Sequence, residues 1–276
     1  GKTKWVLIVS IQKDAPNRGT ATSYFVGDFD GVRYIANPAE QQWLDWGTDN
    51  YAFVTWDHAP VGPGQRIGIG WMSNWLYAQQ VPTGTWRSAM TLPRVLTLQV
   101  IEGAYSLRSS PVKALEALRG ARTDLGAVSI SREQEVSGSF SPSRCELLLQ
   151  TDLRETTASI LGMTLSNVKG DRLILGYDRE NEQLWVDRRQ SGPKGFSEDF
   201  YKGPHTAPLK LEDFEDLRVY LDVASLEVFA GQGALNFTGI FFPSAPFDTL
   251  TFWAADGEWV LASGVVFALE GIRESL

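Results

Sequence analysis

Leu184-Trp185-Val186-Asp187 alternates apolar and polar side chains, and Leu226-Glu227-Val228-Phe229 repeats the alternation further along the chain. A period of two puts successive side chains on opposite faces, as in a strand with one face against a core and the other toward solvent. Comparable runs lie at 137–140, 145–150, 159–165, 172–178, 217–221, 237–242, 249–254 and 264–269. So many short strands separated by turn residues predict two packed antiparallel sheets, a β-sandwich over 125–276.

Toward the N-terminus the same strand signal recurs at 5–11, 23–27, 32–35, 51–56, 66–72 and 89–100, with Asp30-Gly31 placed as a hairpin turn. Small antiparallel sheets build sandwiches, barrels and propeller blades alike, and periodicity does not separate these. Between the two regions, 109–124 reads as a linker. Within it Ser110 can cap a short helix, Pro111 suits its first position, and Val112, Leu115 and Leu118 share a face before Gly120. The chain is thus expected to be all-β, with a front domain over 1–108, a linker over 109–124 and a back domain over 125–276.

Composition narrows the function classes. The net charge is −8, and residues 1–100 hold only seven of the 33 acidic residues, so the back of the chain is acidic. An acidic surface without a basic cluster repels nucleic acid. The apolar runs are strand-sized, well short of the roughly 20 residues of a membrane helix, so no membrane span is expected. A single cysteine, Cys145, excludes an internal disulfide and a cysteine metal cluster, and it reads as a strand residue. His58 and His205 are far apart with no zinc-like carboxylate spacing, so neither a metal nor a cofactor is expected. Seven of the ten tryptophans, at 5, 43, 46, 56, 71, 75 and 86, lie in the front region, which makes it the expected site of ligand binding.

Longer motifs carry a resemblance. The stretch Ile69-Gly70-Trp71-Met72-Ser73-Asn74-Trp75-Leu76-Tyr77-Ala78, then Val81-Pro82-Thr83 and the run from Trp86 to Arg94, resembles glycoside hydrolase family 32, which includes invertases, inulinases and levanases. The likeness extends through Tyr24 to Gly31, Asp45-Trp46-Gly47-Thr48-Asp49-Asn50-Tyr51-Ala52, Val186-Asp187-Arg188 and Ser225 to Phe229. It implies the last blades of a five-bladed β-propeller followed by a C-terminal β-sandwich. It also implies retaining cleavage of β-fructofuranosyl bonds in sucrose or fructans such as inulin and levan. A fructosyltransferase of the same fold and a non-catalytic carbohydrate-binding protein are the alternatives.

The family's nucleophile lies in an Asn-Asp-Pro-Asn-Gly type motif, a second aspartate in Arg-Asp-Pro and the acid/base in Glu-Cys-Pro. None of the three occurs here: Glu-Cys is present only reversed, as Cys145-Glu146, and Arg94 follows Pro93. No principal catalytic carboxylate is therefore expected in this chain. The N-terminal half of the enzyme is expected as a separate chain, a nicked fragment or a symmetry-related copy.

For substrate binding the resemblance implies Trp75 at the floor of the fructose pocket; Asn74 beside it is a polar candidate either for a hydroxyl contact or for a turn or capping role. It implies Tyr51 near the acid/base glutamate, and Gln12 and Ser23 on a polar loop at the leaving-group side. Asp28 and Asp30 look catalytic by type, but hairpin geometry at Asp30-Gly31 favours a structural reading of both. A homodimer through the sandwich and a secreted location are further expectations.

Overall fold

A computed structural model describes residues 3–271. All sheets are antiparallel, and the helical elements among the described residues are short, the longest being the six residues Lys113–Leu118. None is long and apolar enough to cross a membrane.

The back domain is a sandwich. One sheet orders its six strands Glu133–Glu135, Thr249–Ala255, Ile160–Ser166, Arg172–Asp178, Gln183–Gln190, His205–Pro208. The other runs Arg119–Asp124, Trp259–Leu269, Cys145–Thr151, Asp216–Asp222, Ser225–Ala230, Leu235–Ile240, with Val128–Ile130 also paired to Trp259–Leu269. Leu161, Met163, Leu175, Leu184 and Val186 from the first sheet meet Leu147, Val219, Val228 and Val266 from the second in one buried core. Each such side chain contributes roughly 1.5–3 kcal/mol by leaving water. Cys145 is fully buried in this layer, and burial, reinforced by Glu146, pushes its thiol up to about 12.

The front region forms two smaller sheets of the size of propeller blades. Trp5–Ile11, Ala21–Phe29 and Tyr34–Ile35 build the first, with Gln42–Trp43 also paired to Ala21–Phe29. Tyr51–Trp56, Gln65–Met72, Arg94–Ile101 and Ala104–Pro111 build the second, with Ala89–Met90 on Gln65–Met72. Tyr24, Leu44, Phe53, Leu96 and Leu107 fill the space between them. Asp30-Gly31 makes the expected hairpin: Gly31 takes φ +97° and the Asp30 carboxylate accepts from the amides of Val32 and Arg33 at 2.8 and 2.7 Å.

Several expectations are corrected. The run read over 89–100 is two strands, because Pro93 has no N–H for the ladder. The helix read from Ser110 and Pro111 starts later, as a six-residue 3-10 helix over Lys113–Leu118, and those two residues end the strand Ala104–Pro111, paired with Val95 and Arg94. A turn with positive φ at both Glu102 and Gly103 folds that strand back on its neighbour, which alternation does not signal. Residues 137–140 form no strand. Leu226-Glu227-Val228-Phe229 is buried on both faces instead of one, because the front domain covers its polar side.

Candidate functional site

The site begins with one strand. In Gln65–Met72 the residues Gly68, Gly70 and Met72 turn to the buried side, which puts Trp71 on the other. Trp71 pairs across the sheet with Tyr51, their rings edge to face at 6.2 Å. The chain then turns, and Trp75 brings its indole to 4.9 Å from that of Trp71. Trp75 remains 52% exposed, so the three rings form an open aromatic wall. Such a wall matches the C–H face of a sugar ring and keeps water off it.

The structure brings Trp75 and Tyr51 together and gives the other expected residues different positions. Asn74 is fully buried and its amide is saturated by backbone: Nδ2 donates to the carbonyls of Thr48 at 2.9 Å, Arg18 at 3.2 Å and Thr20 at 3.3 Å, while Oδ1 accepts from the amides of Leu76 and Thr20. It holds the turn before Trp75 and has no free polar atom for a ligand. Gly19, with φ +70°, leaves room for that amide, since a Cβ there would stand 2.2 Å from Oδ1. Ser23 is not in a loop: it lies buried within Ala21–Phe29, its hydroxyl turned to the Val9 carbonyl at 3.4 Å. Gln12 is exposed just past the first strand, in a loop ending at residue 20. Asp28 pairs with Lys4 at 2.8 Å on the surface.

Sequence reading missed Trp71 as a wall residue and the whole charged seam behind it. The segment Asp45 to Asn50 lies along the outer edge of the sandwich strand Leu235–Ile240. Trp46 and Asp49 donate their amides to the carbonyls of Asn236 and Thr238. The carboxylates of Asp45 and Asp49 in turn accept the strand's free amides, Thr238 at 2.8 Å and Ile240 at 3.0 Å. An unpaired strand edge is thereby satisfied by the other domain. Gly47 must be glycine, because a Cβ would sit 1.9 Å from the Thr238 carbonyl.

Two buried arginines lock this contact. Arg94, from the front domain, reaches Asp45 at 2.8 Å, Glu227 at 2.7 Å and the Thr238 hydroxyl at 2.6 Å. Arg188, from the sandwich, reaches Asp49 at 2.8 Å and the Tyr77 hydroxyl at 3.0 Å, with its charge 3.8 Å from the Phe200 ring centre. Met72, Tyr77 and Val81 meet Phe200 and Ile240 in the apolar part of the seam. The usable signal was parity: Arg188 continues the inward phase of Leu184 and Val186, and a charge at a core position implies a buried partner.

His205 is buried in the sandwich strand next to this seam. Burial first, then the charges of Arg188 and Arg18, push its imidazole down to about 2 from an ordinary 6.5. The folded chain keeps it neutral while the unfolded chain takes a proton below 6.5. Its contribution is thus complete above 6.5 and lost as pH falls toward 2. Acidification to about 1 unit below the ordinary value should cost about 1.4 kcal/mol. Urea unfolding between pH 7 and 5 reads this, and His205→Gln should flatten the slope.

Comparisons with known proteins bear on the family and the fold. Residues 114–267 match the family model for the C-terminal part of glycosyl hydrolases family 32, and residues 1–111 match its N-terminal domain. The levanase of Bacillus subtilis is 36% identical over 258 residues, covering 92% of this chain and 38% of the relative. An extracellular exo-inulinase of Aspergillus niger is 31% identical over 257 residues, covering 88% and 47% respectively. The chain thus spans less than half the length of these relatives. The crystal structure of exo-inulinase from Aspergillus awamori superposes with a TM-score of 0.85 at 26% identity, over 98% of this chain and 54% of that one. At 22% identity, the β-fructofuranosidase of Schwanniomyces occidentalis complexed with fructosyl-erythritol shares the fold with a TM-score of 0.84, over 98% of this chain and 57% of that one. With propeller-part and sandwich matched in order along one chain, this protein belongs to glycosyl hydrolase family 32.

Proposed function

We propose that this chain forms the back part of a retaining glycoside hydrolase that cleaves β-fructofuranosyl bonds in sucrose or in fructans such as inulin and levan. The observation that carries the reading is the open wall of Tyr51, Trp71 and Trp75, built within the segments that resemble the family. Retaining hydrolysis needs one carboxylate to attack the sugar and another to protonate the leaving oxygen and then activate water. In this proposal both belong to the part of the enzyme outside these residues, with which the chain must be joined to act.

The chain's own work is then shape and exclusion. Trp75 packs against the fructose ring and shields the developing oxocarbenium ion from water. Trp71 backs Trp75, and the Tyr51 hydroxyl donates to the acid/base carboxyl and biases its protonation. The sandwich holds the wall through the buried seam. Relatives described as extracellular support a secreted location.

Fructose release by the complete enzyme from levan, inulin and sucrose, beside a glucan control, tests the reading. Release from at least one fructoside, with the anomeric configuration retained by NMR, is the expected result. A complete enzyme that binds fructan and releases nothing would move the protein to the carbohydrate-binding class.

A further inference from the structure

We propose that Arg188, a sandwich residue, is a positioning residue for Trp75 in the front domain; the inference rests on Trp75 facing the sugar. The contacts bracket the indole from both sides in sequence. Before it, Asn74 is gripped by the Thr48 carbonyl at 2.9 Å and accepts from the Thr20 amide at 3.3 Å. At the indole's own residue, the amide of Trp75 donates to the Thr20 hydroxyl at 3.3 Å. After it, the Tyr77 hydroxyl donates to Asp49 at 2.6 Å, and the amides of Tyr77 and Ala78 donate to the Asn74 carbonyl at 3.1 and 2.9 Å.

Both grips converge on Asp49. Its Oδ1 takes Tyr77, while its Oδ2 takes the Thr48 hydroxyl at 2.8 Å, the Ile240 amide at 3.0 Å and Arg188 at 2.8 Å. Arg188 spends the rest of its fork on the carbonyls of Ile240 at 2.9 Å and Phe200 at 3.1 Å, and on the Tyr77 hydroxyl at 3.0 Å. The guanidinium is thus fixed to the sandwich at two carbonyls and to the front domain at the Asp49 carboxylate and at the Tyr77 phenol of the Trp75 turn. Lysine keeps the charge but cannot reproduce that planar fork.

The sandwich therefore sets where the sugar-facing wall stands, beyond covering the flank of the front domain. Displacement of a binding group by roughly 1 Å can cost about 100-fold in rate. Part of that is expected when Arg188 is altered: about 10-fold in kcat/KM for Arg188→Lys and about threefold for Tyr77→Phe. Tyr77→Phe keeps the ring and removes only the bridging hydroxyl, so it serves if Arg188→Lys does not fold.

The test is a double-mutant cycle in the complete enzyme with sucrose and levan, assayed well below each variant's melting temperature. If Arg188 acts through Trp75, then Arg188→Lys and Tyr77→Phe lower kcat/KM in the parent and change nothing further in a Trp75→Ala background. Losses that add in that background, or folded variants with parental kcat/KM, overturn the proposal while the reading of Trp75 stands. A Trp75→Ala enzyme with parental kcat/KM removes the wall reading and this inference together.

Discussion

Replacing Arg94 by methionine should destabilise the folded protein by about 3–5 kcal/mol, the largest stability loss expected from a single change in the seam. Arg94 is fully buried between Asp45 and Glu227, both also buried. Methionine fills much of the volume but leaves two carboxylates out of water with no cation. Asp45 keeps the amides of Gly47 and Thr238, and Glu227 keeps the amide of Leu92 at 2.7 Å. Those neutral donors replace only part of a charge-assisted pair. A thermal midpoint lowered by about 10 °C is the expected reading. Adding Glu227→Gln to Arg94→Met should recover part of the loss, since one stranded charge is removed. A midpoint within about 2 °C of the parent would mean that the seam derives little from this arginine.

Trp75→Ala should have the largest effect on activity. In the complete enzyme kcat/KM toward fructosides should fall about 100-fold, close to 3 kcal/mol of transition-state stabilisation. Stability should hardly change, because Trp75 is 52% exposed and the hydrogen bond of its backbone amide to the Thr20 hydroxyl is one that alanine keeps. That separation of activity from stability distinguishes a binding wall from a core aromatic. If the melting temperature fell and kcat/KM stayed within about twofold, Trp75 would be a packing residue.

The strands were legible because their signal is local. Trp5–Ile11, Tyr51–Trp56 and Arg172–Asp178 have in the structure the bounds that alternation gives them. Where alternation is weak, as in Ala104–Pro111 or Glu133–Glu135, the partner strand and not the sequence makes the strand. The start of the linker helix differs for a related reason: Ser110 and Pro111 satisfy a capping pattern, yet pairing with the strand Arg94–Ile101 claims both.

The site divides in the same way. By itself the sequence determined the all-β class, the turn at Asp30-Gly31, the lack of an internal disulfide and, through its long motifs, the family. Each of these depends on residue types at short spacing, which a chain displays before it folds. Only the tertiary structure decided that Asn74 and Ser23 are buried, that Trp71 stands between Tyr51 and Trp75, and that Asp45, Asp49, Arg94, Arg188 and Glu227 join the domains. A carboxylate reads alike in sequence whether it faces water, a substrate or a buried guanidinium. Its role is set by dielectric and partners brought from more than a hundred residues away, as Arg188 is to Asp49.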